Sequence, residues 1–314
     1  MENENQILPK CPVCEKSNGK YVTTHMDFNE SEIYFCLSCN HWFTYPEPGE
    51  LKLNQYYNEI YSPQRRRYFG EEYNALMQRR AKAQKNFISN YLTNSEKHAM
   101  SHFWKILDWG CGVGALVALF QKAGANIVGY DSDKAAIEVG KRLWNANIST
   151  TSSNAVDLHQ DQFNLLLLSH IVEHLPNIQK SLQELIKVLK PGGIVFIEIP
   201  NSDSDTFDLK SDHESHINFF SRQSIDIILT KLGLQVLGCV VCGPPKRKII
   251  DKRSNKLSTP MMKSINRIRR FMNYGFNLLG FHNKRIKTIY DGFFDYYPSD
   301  NNGLWIRCLA RVPI

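Results

Sequence analysis

The chain has 314 residues, 42% of them hydrophobic, with 38 Lys and Arg against 31 Asp and Glu, a formal charge of +7. This is enough apolar material for one α/β domain with one or two smaller units, and too much for a disordered chain. No apolar run approaches about 18 residues, and the start Met1 to Gln6 lacks the basic-then-apolar order of a leader, so a cytoplasmic, non-spanning protein is expected. The charge is uneven: residues 244 to 290 carry 13 Lys and Arg against one acid, Asp251, while the rest carries 25 against 30. That distribution argues against a uniformly basic nucleic-acid surface.

Residues 1–60 open with Cys11-Pro-Val-Cys14 and Cys36-Leu-Ser-Cys39. In a reducing compartment two CxxC pairs point to metal, and four thiolates close a tetrahedral zinc shell with no position left for substrate. Zn2+ bound by Cys11, Cys14, Cys36 and Cys39 is therefore expected to be structural, in a zinc ribbon whose strands are Tyr21–Thr24 and Glu32–Phe35. The ribbon itself, residues 8 to 45, is not basic: Lys10, Lys16 and Lys20 stand against Glu15, Asp27, Glu30 and Glu32. A Pro46-Glu-Pro48 turn and Tyr56, Tyr57 and Tyr61 follow, either packing the ribbon onto the main domain or touching substrate. Two CxxC pairs, the Pro-x-Pro turn and the Tyr-rich helix resemble the zinc-ribbon methyltransferases found with bacterial surface-polysaccharide and sugar biosynthesis.

Residues 61–95 read as a helical linker or lid, with Arg65 to Arg67 on a solvated face and a helix running through Tyr73, Leu76, Met77, Arg80, Phe87 and Tyr91. From 96 to 243 strands and helices alternate, as in a parallel α/β sheet. The stretch Ile106-Leu-Asp-Trp-Gly-Cys-Gly-Val-Gly114 is a buried strand running into a glycine loop and the helix Ala115–Lys122. Gly110, Gly112 and Gly114, with Cys111 between them, let a ligand approach the backbone, and the helix N-terminus offers amide donors. The second strand ends at Asp131, followed by Ser132, an acid placed for a ribose diol.

The spacing here is GxGxG. A dinucleotide loop spaces its glycines GxGxxG and faces a pyrophosphate, which Asp108 would repel; an ammonium would suit Asp108 better. Asp108 to Gly114 resembles the (D/E)xGxGxG motif of class I S-adenosylmethionine-dependent methyltransferases. So does Ser169-His-Ile-Val-Glu-His-Leu-Pro176, followed by a helix to Leu189 and Lys190-Pro-Gly-Gly193. The resemblance implies S-adenosyl-L-methionine as cofactor and a Rossmann-like sheet of parallel strands with an antiparallel closing strand. It also places Asn154, where an acid is usual, and Ala155 beside the adenine, and His170 at the cofactor's edge. Asn164 stands where the family's fourth strand usually starts with Asp.

Asp212-His-Glu-Ser-His216-Ile-Asn-Phe-Phe220 resembles the family's His-x-x-(His/Phe)-Phe segment, above the carboxyl edge of the sheet. His216 is the first candidate for the base that deprotonates a hydroxyl acceptor and His213 the second, with His170 and His174 at the edge. Cys239 and Cys242 read as core thiols, because residues three apart on a strand face opposite ways. Residues 244–300 form an insertion before a final strand in 301–314. Within it Met261, Ile265, Ile268, Met272, Phe276 and Leu279 make an amphipathic basic helix over 258–285, which packs on the main domain, pairs with a second copy or lies on a membrane surface. The expected reaction is O-methylation of a sugar, glycan or related small molecule, since related C-methyltransferases continue into another large domain. RNA methylation and a non-catalytic cofactor-binding scaffold are the alternatives.

Overall fold

The computed structural model describes residues 8–61, 70–150, 160–203, 207, 209, 215–245 and 303–314. The basic triplet 65–67, Asn154, Ala155, His213 and the basic helix at 258–285 lie outside the described residues.

Two sheets organise the chain. The N-terminal unit contributes β1 (Gly19–Thr24), β2 (Glu32–Cys36) and β3 (His41–Tyr45), an antiparallel meander. A short strand from the main domain, β9 (Asn218–Phe219), pairs with β3 through Trp42 opposite Phe219 and Phe43 opposite Asn218. The ribbon is thus joined to the main domain by backbone hydrogen bonds as well as by side chains.

The seven-stranded sheet is built from β4 (Lys105–Trp109), β5 (Asn126–Asp131), β6 (Ile148–Thr150), β7 (Phe163–Ser169), β8 (Leu189–Pro200), β10 (Gln235–Pro245) and β11 (Gly303–Arg311). Its order is β10-β11-β8-β7-β4-β5-β6. Strands β6, β5, β4, β7 and β8 pair in parallel. The run Leu165 to Leu168 is fully buried, as expected for a strand covered on both faces. Alternation sorts the two faces: Leu166, Leu168, Val195 and Ile197 point to one apolar cluster, and Leu165, Leu167, Ile194 and Phe196 to the other. The first cluster is closed by α6 (Ile178–Ile186) and α7 (Arg222–Lys231), with Leu182, Ile225 and Ile228 inward. The second is closed by α2 (Glu71–Asn90), α4 (Ala115–Lys122) and α5 (Lys134–Trp144), with Ile88, Val117 and Ile137 inward. This is the Rossmann-like architecture expected from the alternation of elements.

Two boundaries differ from the sequence reading. The lid is two helices, α2 and α3 (Asn94–His102), split where Thr93 and Glu96 form a capping box: Glu96 N–H donates to Thr93 Oγ1, and Thr93 N–H to Glu96 Oε2 at 2.8 Å. The helix expected to reach Leu189 stops at Ile186, because Leu189 pairs with Phe163 and opens β8. Lys190 to Gly193 then form the irregularity before Ile194 pairs with Leu165. The final strand, β11, pairs antiparallel with β10 on one side and with β8 on the other, placing the chain's last strand inside the sheet. On β10, Cys242 is fully buried and Cys239 half-buried opposite Cys308. No helix among the described residues is long and apolar enough to cross a membrane.

Glu198 of β8 is fully buried and joins these layers. It accepts from Arg80 Nε at 2.6 Å, Gln84 Nε2 at 2.9 Å and Arg307 Nε of β11. Burial alone would raise its pKa, but the two guanidiniums outweigh it and hold the carboxyl well below the usual range. Removing it takes from Arg307, only 2% exposed, the carboxylate its Nε donates to. Glu198→Ala is expected to cost about 3–5 kcal/mol of stability, read as a lower urea midpoint.

Candidate functional site

A cleft of about 610 Å³ lies at the carboxyl ends of β4, β5 and β7, under α2, where open α/β sheets bind ligands. Its floor is the turn after β4. Gly110, Gly112 and Gly114 all have positive φ, at 74°, 53° and 71°. Their reasons differ. A Cβ on Gly110 would collide with the Ile171 side chain, so this glycine is needed for packing within the protein. A Cβ on Gly112 would meet open space, so there the backbone alone is presented to a ligand. The Gly110 and Cys111 amides donate to the Tyr130 carbonyl and Gly114 to Cys111. The loop amides are thus largely spent inside the turn, unlike those of a phosphate cradle.

The two acids of the loop are held differently. Asp131 accepts from Gly112 N–H at 2.7 Å and from Asp133 N–H at 2.8 Å, which fixes its carboxylate beside Ser132 at the cleft wall. Asp108 also lines the cleft but is 2% exposed. Burial pushes its pKa up to about 7, the Asp131 charge adding to the rise and Arg80 partly offsetting it. An anion so poorly solvated is a receptor for a positively charged ligand group.

The roof comes from the helix read in the sequence as a lid, and the far end from the Tyr-rich connector before it. Met77, Arg80, Ala81 and Gln84 of α2 line the cleft, and Ser169 accepts from Arg80 at 3.0 Å and Gln84 at 2.8 Å. Tyr57, in the turn after α1 (Glu50–Tyr56), lines it too and bonds His174 Nδ1 at 2.7 Å. A Tyr-rich run before the core was visible in sequence, but no periodicity separates a packing tyrosine from a cavity one. Tyr56, its neighbour, packs on Phe28 instead.

Of the candidate histidines, His170 and His174 line the cleft and His216 does not. His216 is 6% exposed and lies behind His174, the rings meeting edge to face at 4.7 Å. It is held there because His25 Nε2 of the ribbon donates to its carbonyl at 2.9 Å while Ile217 N–H donates to the Glu173 carbonyl. A direct base role for His216 would need the cleft to extend past His174. His170 adopts a left-handed backbone, φ 56°, with Nδ1 3.1 Å from Glu173 Oε1. Burial alone would raise the Glu173 pKa, but His170, then His174 and His216, hold it down to about 2.

The four ribbon cysteines converge. Cys11 and Cys39 sulfurs are 3.6 Å apart and Cys14 and Cys36 3.4 Å, close to the roughly 3.8 Å of thiolates around one zinc. The Cys39 thiol, against the opposing effect of burial, lowers the Cys11 pKa to about 6, with the Cys14 and Val13 amides assisting. The donor set fits a closed zinc shell. Ser221 Oγ donates to the Cys39 carbonyl and Gln179 Nε2 to the Pro12 carbonyl, so the knuckles rest on the main domain.

Comparison with known proteins gives a consistent result. Residues 64–238 match the family described as a methyltransferase domain. The chain is similar to a ubiquinone biosynthesis O-methyltransferase of Bartonella tribocorum, 33% identical over 102 residues, 31% of this chain and 41% of that protein. It is also similar to one of Photobacterium profundum, 30% identical over 127 residues, 38% of this chain and 52% of that one. The chain spans about half the length of these curated relatives. A solved structure described as a SAM dependent methyltransferase from Archaeoglobus fulgidus aligns over 81% of this chain and all of its own, at 18% identity and TM-score 0.48.

The raised pKa of Asp108 has a signed consequence. Its folded value lies above the unfolded one, so its contribution to stability is fully present below about pH 4 and is lost as pH rises through about 7. Ligand-free Asp108→Asn should lack this slope, and denaturant midpoints of the two proteins between pH 4 and 8 measure it.

Proposed function

Because the chain belongs to the methyltransferase-domain family, we propose that it transfers the methyl group of S-adenosyl-L-methionine to a hydroxyl of a sugar, glycan or related small molecule. The observation that carries the reading is the pairing, in one cleft, of buried Asp108 with Asp131 on the neighbouring strand, across a turn whose Gly112 backbone is open to a ligand. Asp108 would take the methionine ammonium, and Asp131, already oriented by two amides, the ribose hydroxyls. When bound, the cofactor supplies an electrophilic methyl on a positively charged sulfur.

The protein's own part is largely positioning. The α2 helix, held down by Arg80 and Gln84 on Glu198, covers one side of the cleft. Tyr57 and His174 close the end at which an acceptor would meet the methyl group. O-methylation is supported by the names of the relatives, and a sugar-type acceptor by the ribbon with its Pro and Tyr connector. Zinc on Cys11, Cys14, Cys36 and Cys39 would serve structure alone: the ribbon holds the 215–220 segment through β9, His25 and the hydrogen bond between His41 and Asn218. A four-thiolate zinc shell supports a reducing, cytoplasmic setting.

Isothermal titration should show S-adenosylmethionine binding in the micromolar range, weakened at least about tenfold by Asp131→Ala, the loss of one charge-assisted contact, with NAD failing to bind. Binding of NAD alone would overturn the assignment. For the metal, Cys36→Ser is expected to release zinc, seen by atomic emission, and to lower the melting temperature by several degrees.

A further inference from the structure

Neither the glycine turn nor the Glu198 network uses the carboxylate of Glu173. It sits in the 3-10 turn Val172–His174 after β7 and is 1% exposed. Its Oε1 stands 3.1 Å from His170 Nδ1, and among the described residues its Oε2 has no hydrogen-bond partner. A carboxylate oxygen buried without a partner is costly, and a bound cation would satisfy it. The ligand-bearing atoms of Glu173, His174 and His216 all lie within 4.8 Å of one another. Two imidazoles and a carboxylate, with coordination positions to spare, make a donor set for a first-row divalent cation.

The surroundings fix these donors. The Tyr57 hydroxyl orients the His174 ring from its Nδ1, as outer partners of metal-bound histidines do. His216 is anchored through its carbonyl by His25, and the adjoining Ile217 amide is tied to the Glu173 carbonyl at 3.1 Å. Two distant stretches of chain are therefore pinned together at the point where the donors meet.

The geometry points to a second metal site, separate from the four cysteines, in which Glu173, His174 and His216 hold a first-row divalent cation at the edge of the cleft. His216 is then a ligand, which accounts for its burial behind His174. The use of this cation rests on the methyl-transfer reading. Reached past His174, it would take two adjacent oxygens of a vicinal diol, such as neighbouring sugar hydroxyls, and lower the pKa of one of them. That hydroxyl loses its proton to solvent, its oxygen forms the new bond to the methyl carbon, and the carbon–sulfur bond breaks with its electron pair returning to sulfur.

The test uses the full chain with its ribbon loaded with zinc. Mn2+ is titrated in by electron paramagnetic resonance and Co2+ by visible absorption, with zinc content and S-adenosylmethionine binding measured on the same samples. One equivalent of added cation per chain is expected, without loss of zinc and without thiolate-to-cobalt absorption. Glu173→Gln should weaken it at least about tenfold while leaving zinc content and cofactor binding as in the wild type. His174→Ala, altered on the cleft side, should also weaken the cation at least about tenfold while leaving zinc content unchanged, and serves if the buried substitution fails to fold. The proposal is overturned if neither cation binds the zinc-loaded wild type, or if both variants bind as it does. Failure of cofactor binding with the cation still bound would strike the methyl-transfer reading and leave the metal site standing.

Discussion

Much of the architecture hangs on one buried anion, Glu198. It lies near the carboxyl end of β8 and gathers Arg80 and Gln84 from the lid helix and Arg307 from the last strand. Alone, a carboxylate in that position would be expelled or protonated; with two guanidiniums it becomes the point where three distant parts of the sequence must arrive together. Such networks contribute less to net stability than to uniqueness, because a misplaced β11 or a shifted α2 would leave a charge buried without its partner. The cleft inherits this order: Arg80 and Gln84, fixed from below, also fix Ser169 and the roof over Asp108.

The core of this fold was legible in the sequence because its signals are local. The unbroken Leu165 to Leu168 run, the alternation of strand and helix, and the Asp108 to Gly114 turn each announce themselves within about ten residues. The position of β11 was only half legible. Gly303 to Arg311 reads as a strand, but its pairing with β8 on the side away from β10 depends on partners more than a hundred residues away. Arg307 and Glu198 carry no mark of their pairing, since each alone looks like a charge interrupting an apolar strand.

The candidate site divides in the same way. Asp108, Gly112, Asp131, Ser132 and His170 line one cleft and the four cysteines converge, each group drawn from motifs short enough to be seen in the sequence. The order of the histidines around Glu173 did not follow from spacing, because His174 and His216 approach along different segments, and only the ribbon's grip on 215–220 decides which of them meets the cleft. Phe43 opposite Asn218 and the bond from His25 to the His216 carbonyl are contacts between chain ends that no local pattern encodes.

The matched family begins at residue 64, yet Asn54, Tyr57 and Asn58 form part of the cleft wall, and β3 braces the segment that carries His216. The shared domain therefore accounts for the floor of the cleft, and the N-terminal unit for one of its ends. Two proteins aligned over the shared domain alone can agree at every residue of the floor while differing at that end of the cleft. Exchanging the first sixty residues would therefore change one end of the cleft and the bracing of the 215–220 segment while leaving the floor as it is.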